Sequence, residues 1–164
     1  MPFLDVPSSK LRDVFDTNVF GYFLVSSAFA RLFLERKTRS GAKQADRIVN
    51  VSINKETMTR RGFVPYGPST AASEAMSYVM AEDLKPYKVA VNILLPGGAT
   101  KTGMIPTDTP AELMKRLLDP DVMASPVAFL ASDEAEGLTG QRIVATEFDS
   151  WLSKFRASSS RDHP

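Results

Sequence analysis

Residues 88–103, KVAVNILLPGGATKTG, decide the fold. Lys88 to Leu95 is a near-continuous apolar run, the pattern of a strand covered on both faces of its sheet. PGGATKTG (96–103) then breaks all periodicity and must be a loop. A strand covered on both faces needs helices around it. Upstream, about Pro65 to Pro86, carried by AASEAMSYVMAEDL, reads as a helix, and RIVNVS (47–52) before it reads as a short buried strand rich in β-branched residues. Residues 53–65 between them are mostly polar or basic and are expected to form an exposed loop.

Further out, residues 8–37 read as one long helix, with Ser8 or Ser9 as its cap. Leu11, Phe15, Tyr22, Val25, Phe29 and Leu32 recur there at helical spacing. Asn18 falls on that stripe, so its amide should be at least partly buried and needs partners. Gly21 in the same helix costs roughly 1 kcal/mol against alanine and suggests a close helix contact. SGAKQAD (40–46) is a polar connector. Thr109 to Leu118 reads as a short helix with Thr109 as cap and Pro110 at its first position. SPVAFLASDEA (125–135) reads as another helix and Gln141 to Thr146 as a final strand. The order predicts an α/β fold: a partial Rossmann-like domain over residues 1–153, with a parallel sheet of about three strands flanked by helices. Residues 154–164 are expected to be a polar, fraying C-terminal tail.

Composition excludes several classes of function. The 164 residues suit one domain, and a net charge of +1 points to neither nucleic acid nor an anionic membrane. There is no cysteine, which rules out disulfides, thiolate metal sites and a cysteine nucleophile. The one histidine, His163, lies in the polar tail, so neither a Ser-His-Asp triad nor a histidine metal cluster is expected. No basic start with an apolar core resembles a signal peptide, and no apolar run approaches the roughly 18 residues that span a bilayer. By elimination the expectation is a soluble, cytoplasmic protein.

Five stretches in register resemble the short-chain dehydrogenase/reductase family: TNVFG around Asn18, RIVNVS, PYGPSTAASEAM, VNILLPGGATKTGM and FLASDEAEGLTGQRIVATEFD. Together they cover nearly all of residues 10–149. After Phe148 the chain departs from the Gly-Gly ending common in the family. The resemblance implies an NAD(P)-dependent oxidoreductase acting on an alcohol/carbonyl pair, and that this chain corresponds to the family's C-terminal half. It assigns Tyr66 the proton exchange with the substrate oxygen, and Asn18 the water that continues the proton path. Pro96, Gly97 and either Thr100 or Thr102 fall at the nicotinamide end of the site.

The departures sit at the chemistry. Where the family has a lysine four residues after the tyrosine, this chain has Thr70, which can hydrogen-bond a ribose hydroxyl but supplies no charge. An unperturbed phenol has a pKa near 10, so only about 0.1% is ionised at pH 7 without such a cation. The family's serine precedes the tyrosine by 13 residues, which here is Ile53. Ser52 is adjacent, but on a strand a one-residue shift turns a side chain to the other face unless the strand end is distorted. Lys55, Arg60 and Arg61 are candidates for a replacement cation. No Gly-rich turn of the pyrophosphate-binding kind follows a strand in these residues. The expectation is therefore weak or no activity for this chain alone, with a non-catalytic oligomerisation or binding module as the alternative. A phosphate-binding loop built on PGGATKTG lacks the Walker arrangement. Residues 103–124 should form the lid over a small-molecule substrate, and the choice between NAD and NADP is not legible here. The resemblance also implies a homodimer or homotetramer through helices 8–37 and 65–86, since the first of these is apolar around most of its circumference.

Overall fold

In the computed structural model, which describes residues 2–41 and 45–159, the run Val89–Leu95 is the central strand β2, buried along its whole length. It pairs in parallel with β1 (Asp46–Val51) on one side and β3 (Arg142–Val144) on the other. Asn50 lies opposite Ile93, and Ile93 lies opposite Arg142, so these three side chains share one row across the sheet. The helices are α1 (Ser8–Phe15), α2 (Tyr22–Ser40), α3 (Lys55–Met58), α4 (Tyr66–Leu84), α5 (Ala111–Met114), α6 (Ala124–Ala131) and α7 (Phe148–Ser159).

Alternation along the strands sends side chains to two helical layers. One face carries α4, which packs on β2 and is joined to β1 by the bond from Asn50 Nδ2 to Ser77 Oγ (3.2 Å). The opposite face carries Leu94 and Ile143, packed against Phe129, Leu130 and Phe148 of the second layer. There Trp151 stacks on Phe155 with ring centroids 5.4 Å apart. Burial of such rings is the main stabilising contribution of this layer.

The helix of residues 8–37 is continuous from Ser8 to Ser40, with one widened π turn over Asp16–Gly21 joining α1 to α2. Its buried face is not the predicted stripe. Ser26 and Ala30 are buried against the neighbouring layer, whereas Leu11, Val25, Phe29 and Leu32 are exposed, along with Phe20, Phe23 and Leu24. Small and polar residues let this helix approach α4, and its large apolar side chains point outward. By length and composition alone the Ser8–Ser40 helix is long and apolar enough to cross a membrane. In this fold Asn18 and Tyr22 hydrogen-bond α4 instead.

Other local expectations are corrected. Neither Ser8 nor Ser9 caps the first helix; the capping position is Pro7, with no side-chain bond. Thr109 does not cap α5 either: Pro110 takes that position, and Thr109 Oγ1 donates to Pro106 O at 2.7 Å. Beyond the adjoining turn of its own helix, the one described atom within 4 Å of a Cβ on Gly21 would be Asp16 O, at 3.3 Å, so this glycine relieves the π turn and makes no close contact with a neighbouring helix. The stretch 53–65 contains the single-turn helix α3. The expected fraying tail is helical as far as Ser159, because Phe155 adds to the aromatic cluster. Part of the connector SGAKQAD (residues 42–44) and His163 lie outside the described residues.

Candidate active-site cleft

The C-terminal end of β1, the π turn and the first turns of α4 converge on an open cleft of about 480 Å³. It brings together Asn18, Ser52, Tyr66 and Thr70, with Ile53 and Met104 on its apolar side. Pro96, Gly97, Thr100 and Thr102 do not line it. Gly97 has a φ of 98°, and a Cβ there would meet Thr146 Oγ1 at 2.1 Å, so packing against β3's end already demands a glycine. Asn54 Nδ2 donates to Gly97 O at 3.0 Å. Thr100 Oγ1 donates to Gly98 O, and Thr102 Oγ1 accepts from Met104 N at 3.4 Å on the exposed loop.

The π turn is what aims Asn18 at α4. Extra helical turns of this kind commonly mark functional positions. Asn18 Nδ2 donates to Ser69 Oγ at 3.0 Å, and Ser69 Oγ in turn donates to Tyr66 O at 2.8 Å. Because Ser69's single proton goes to that carbonyl, it must accept from Asn18, which fixes the orientation of the amide. Asn18's backbone carbonyl accepts from Ser73 Oγ. Thr70 Oγ1 donates to Tyr66 O at 3.0 Å, one turn back along α4.

Burial pushes the Tyr66 phenol above its ordinary pKa, and among the described residues no charged group opposes that shift. Lys55, Arg60 and Arg61 do not line the cleft; the Arg60 guanidinium lies 5.1 Å from the centroid of the Phe63 ring. None of the three serves as the replacement cation. Ser52 is buried, yet it reaches the cleft together with Ile53, and its Oγ donates to Glu74 Oε2. Glu74 is itself buried and paired with Arg142, whose Nε lies 2.9 Å from Oε1.

Sequence pattern alone does not single out Glu74, Arg142 or the role of Tyr22. Tyr22 Oη bonds Ser77 Oγ, and burial raises its pKa to about 12. The available signal was the spacing of Ser69, Ser73 and Ser77 on α4, which makes one polar stripe with Tyr66, Thr70 and Glu74 beside it. Among the described residues no cluster of acidic groups or histidine suits a metal ion.

The family model described as enoyl-(acyl carrier protein) reductase matches residues 1–147. The uncharacterized oxidoreductase YjdA of Bacillus subtilis is 31% identical over 147 residues, covering 86% of this chain and 56% of its own length. Among solved structures, acetoin dehydrogenase from Enterobacter cloacae superposes with a TM-score of 0.71 at 30% identity, covering 87% of this chain and 56% of that one. 4-Hydroxyisoleucine dehydrogenase, solved with NADH, superposes with a TM-score of 0.72 at 23% identity over 88% of this chain and 61% of its own, a likeness of fold. The chain thus spans about half the length of the curated relatives it matches. With the family model matched over most of its residues and the same layered sheet, this chain belongs to the short-chain dehydrogenase/reductase family.

Proposed function

We propose that the chain forms the substrate side of an NAD(P)-linked oxidoreductase acting on a small alcohol/carbonyl pair, and that these 164 residues alone are weakly active or inactive. The observation that carries this reading is the single cleft uniting Asn18, Ser52, Tyr66 and Thr70. The oxidoreductase names of the relatives favour it over a non-catalytic oligomerisation or binding module.

A whole nicotinamide dinucleotide does not fit the described residues. None of them forms a strand, Gly-rich turn and helix for the pyrophosphate. Thr70 gives its proton to Tyr66 O and offers no charge, and neither Thr100 nor Thr102 reaches the cleft. No step through the cofactor is derived, and the choice of NAD or NADP lies beyond these residues. What the chain itself supplies is a proton held at Tyr66 Oη. A half-buried phenol with a raised pKa can donate to a carbonyl oxygen but cannot take a proton from an alcohol near neutral pH.

The same proposal places the protein in the cytoplasm, where nicotinamide cofactors are at hand, and makes it a homodimer or homotetramer through the Ser8–Ser40 helix and α4. Phe20, Phe23 and Leu24 are exposed on the first of these and Val79 on the second.

Two measurements test it. Calorimetric titration of the chain with NADH or NADPH should show no saturable low-micromolar binding. Joining the chain to the dinucleotide-binding half of a family member should give reduction of a small ketone near neutral pH that Tyr66→Phe abolishes. Tight cofactor binding by the chain alone, or chimera turnover indifferent to Tyr66→Phe, would overturn the reading.

A further inference from the structure

The hydroxyls that line the cleft belong to Thr17, Tyr22, Ser52, Tyr66, Thr70 and Ser73. Each has one proton to give and two lone pairs to receive, so following each proton shows what the cleft presents to a ligand. Thr17 Oγ1 donates to Asp13 O at 3.0 Å, and Thr70 Oγ1 to Tyr66 O. The one proton of Ser73 Oγ is shared between the backbone carbonyls of Asn18 and Ser69. Ser77 Oγ gives its proton to Ser73 O at 2.9 Å, so Tyr22 Oη must be the donor in the Tyr22–Ser77 bond. Ser52 Oγ gives its proton to Glu74. Only Tyr66 Oη has no internal acceptor among the described residues.

The acceptor side is the reverse. Asn18 Oδ1 receives no hydrogen bond from the described residues, because its amide nitrogen is the end turned to Ser69. Ser52 Oγ keeps its lone pairs. Its bond to a buried carboxylate, itself held by Arg142, makes that oxygen a stronger acceptor, since hydrogen bonds in a chain polarise one another. Among the described residues no Lys or Arg lines the cleft, and Val25, Val51, Ile53 and Met104 supply apolar surface.

The geometry points to a cleft selective for neutral ligands rich in hydrogen-bond donors, a vicinal diol or polyol, with Glu74 as the positioning residue that sets this preference by turning Ser52 into an acceptor. A hydroxyl group can accept from Tyr66 and donate to Ser52 or Asn18. A carbonyl or ether oxygen satisfies Tyr66 alone, and a carboxylate meets acceptors without a cation. An unpaired acceptor facing a bound ligand costs on the order of one hydrogen bond or more. This inference deepens the proposed function by naming the class of its alcohol, the product of carbonyl reduction, and rests on that reading for the reaction, but not for binding.

The test is NMR titration of the isotopically labelled 164-residue chain with cis-cyclohexane-1,2-diol and with its dimethyl ether, which keeps the oxygens and lacks the donors. The diol should shift the Asn18 side-chain amide saturably and bind roughly three- to tenfold more tightly than the ether, the range of one net hydrogen bond. Ser52→Ala, which leaves the Glu74–Arg142 pair in place, should bring the two affinities together while the rest of the spectrum is kept. Glu74→Gln should narrow the same ratio, a change that mere loosening of the fold would not produce. Equal affinity of the two probes, stronger binding of pyruvate than of the diol, or no saturable shift with the diol would overturn the inference. A diol preference alongside an inactive chimera would leave the cleft's polarity standing and sink the oxidoreductase reading; an active chimera without the preference would do the opposite.

Discussion

The guanidinium of Arg142 on β3 donates to Glu74 of α4 at 2.9 Å, and its other arm donates to Ile53 O at 2.9 Å, just past the end of β1. One side chain thereby ties the cleft floor across the whole width of the sheet, since β2 lies between β1 and β3. Breaking a buried pair leaves an uncompensated charge, whereas replacing both partners with apolar groups removes the problem. Glu74→Leu or Arg142→Met alone should therefore destabilise the fold by roughly 3 kcal/mol. The double variant should recover most of that loss, as read from urea unfolding midpoints. Additive losses in the double variant would show that the pair is not energetically coupled.

Tyr22 makes stability fall at high pH. Its phenol is raised from 10.0 to about 12, first by burial, with the nearby Glu74 charge adding to it. Below the unfolded value both states are neutral and the contribution is complete. Between the two values the unfolded chain ionises and the folded one does not, so stability is lost as pH rises through that window. The unfolding midpoint of the wild type should drop more between about pH 9 and about pH 11 than that of Tyr22→Phe, in which this linkage is gone. Lysine titration is common to both proteins, so identical drops would remove Tyr22 as the source.

Thr70→Lys should lower the Tyr66 pKa, because it places a cation one helical turn from the phenol. Ultraviolet difference titration would read the shift. By itself the substitution should still yield no measurable dehydrogenase turnover, since it restores neither the pyrophosphate contacts nor a serine at position 53. Robust alcohol-dependent production of NADH or NADPH by this single variant would show that those departures do not limit the chemistry.

The outward face of the Ser8–Ser40 helix should drive self-association. Phe20 is 61% exposed and Leu24 63%, an apolar patch of the kind that marks an interface. Light scattering across a dilution series should find a dimer or larger species, and Phe20→Glu should shift it to smaller ones with unchanged helical circular dichroism. A well-folded wild-type monomer at micromolar concentration would refute this.

Much of the fold was legible because it is written in local pattern. The apolar run Val89–Leu95, the β-branched segment at 47–51 and the Pro96-Gly97 break announce strands and a loop whatever else the chain contains. The register of family-like motifs likewise placed Asn18 and Tyr66 at one site, and they share the cleft. Spacing along one helix could not say which face of Ser8–Ser40 is buried. That depended on the small side chains of α4, which admit Asn18, Tyr22 and Ser26 and leave the phenylalanines outside. Nor could it show that Lys154 to Ser159 continues a helix, which rests on Phe155 meeting Trp151 and Phe129. Above all, the chemical sense of Ser52 was undecided in one dimension. A hydroxyl donates or accepts according to its partner, and that partner, Glu74, lies 22 residues away and is itself held by Arg142, 68 residues further on. Residue type and spacing determine which elements form; only the three-dimensional pairing of donors with acceptors determines what the cleft can bind.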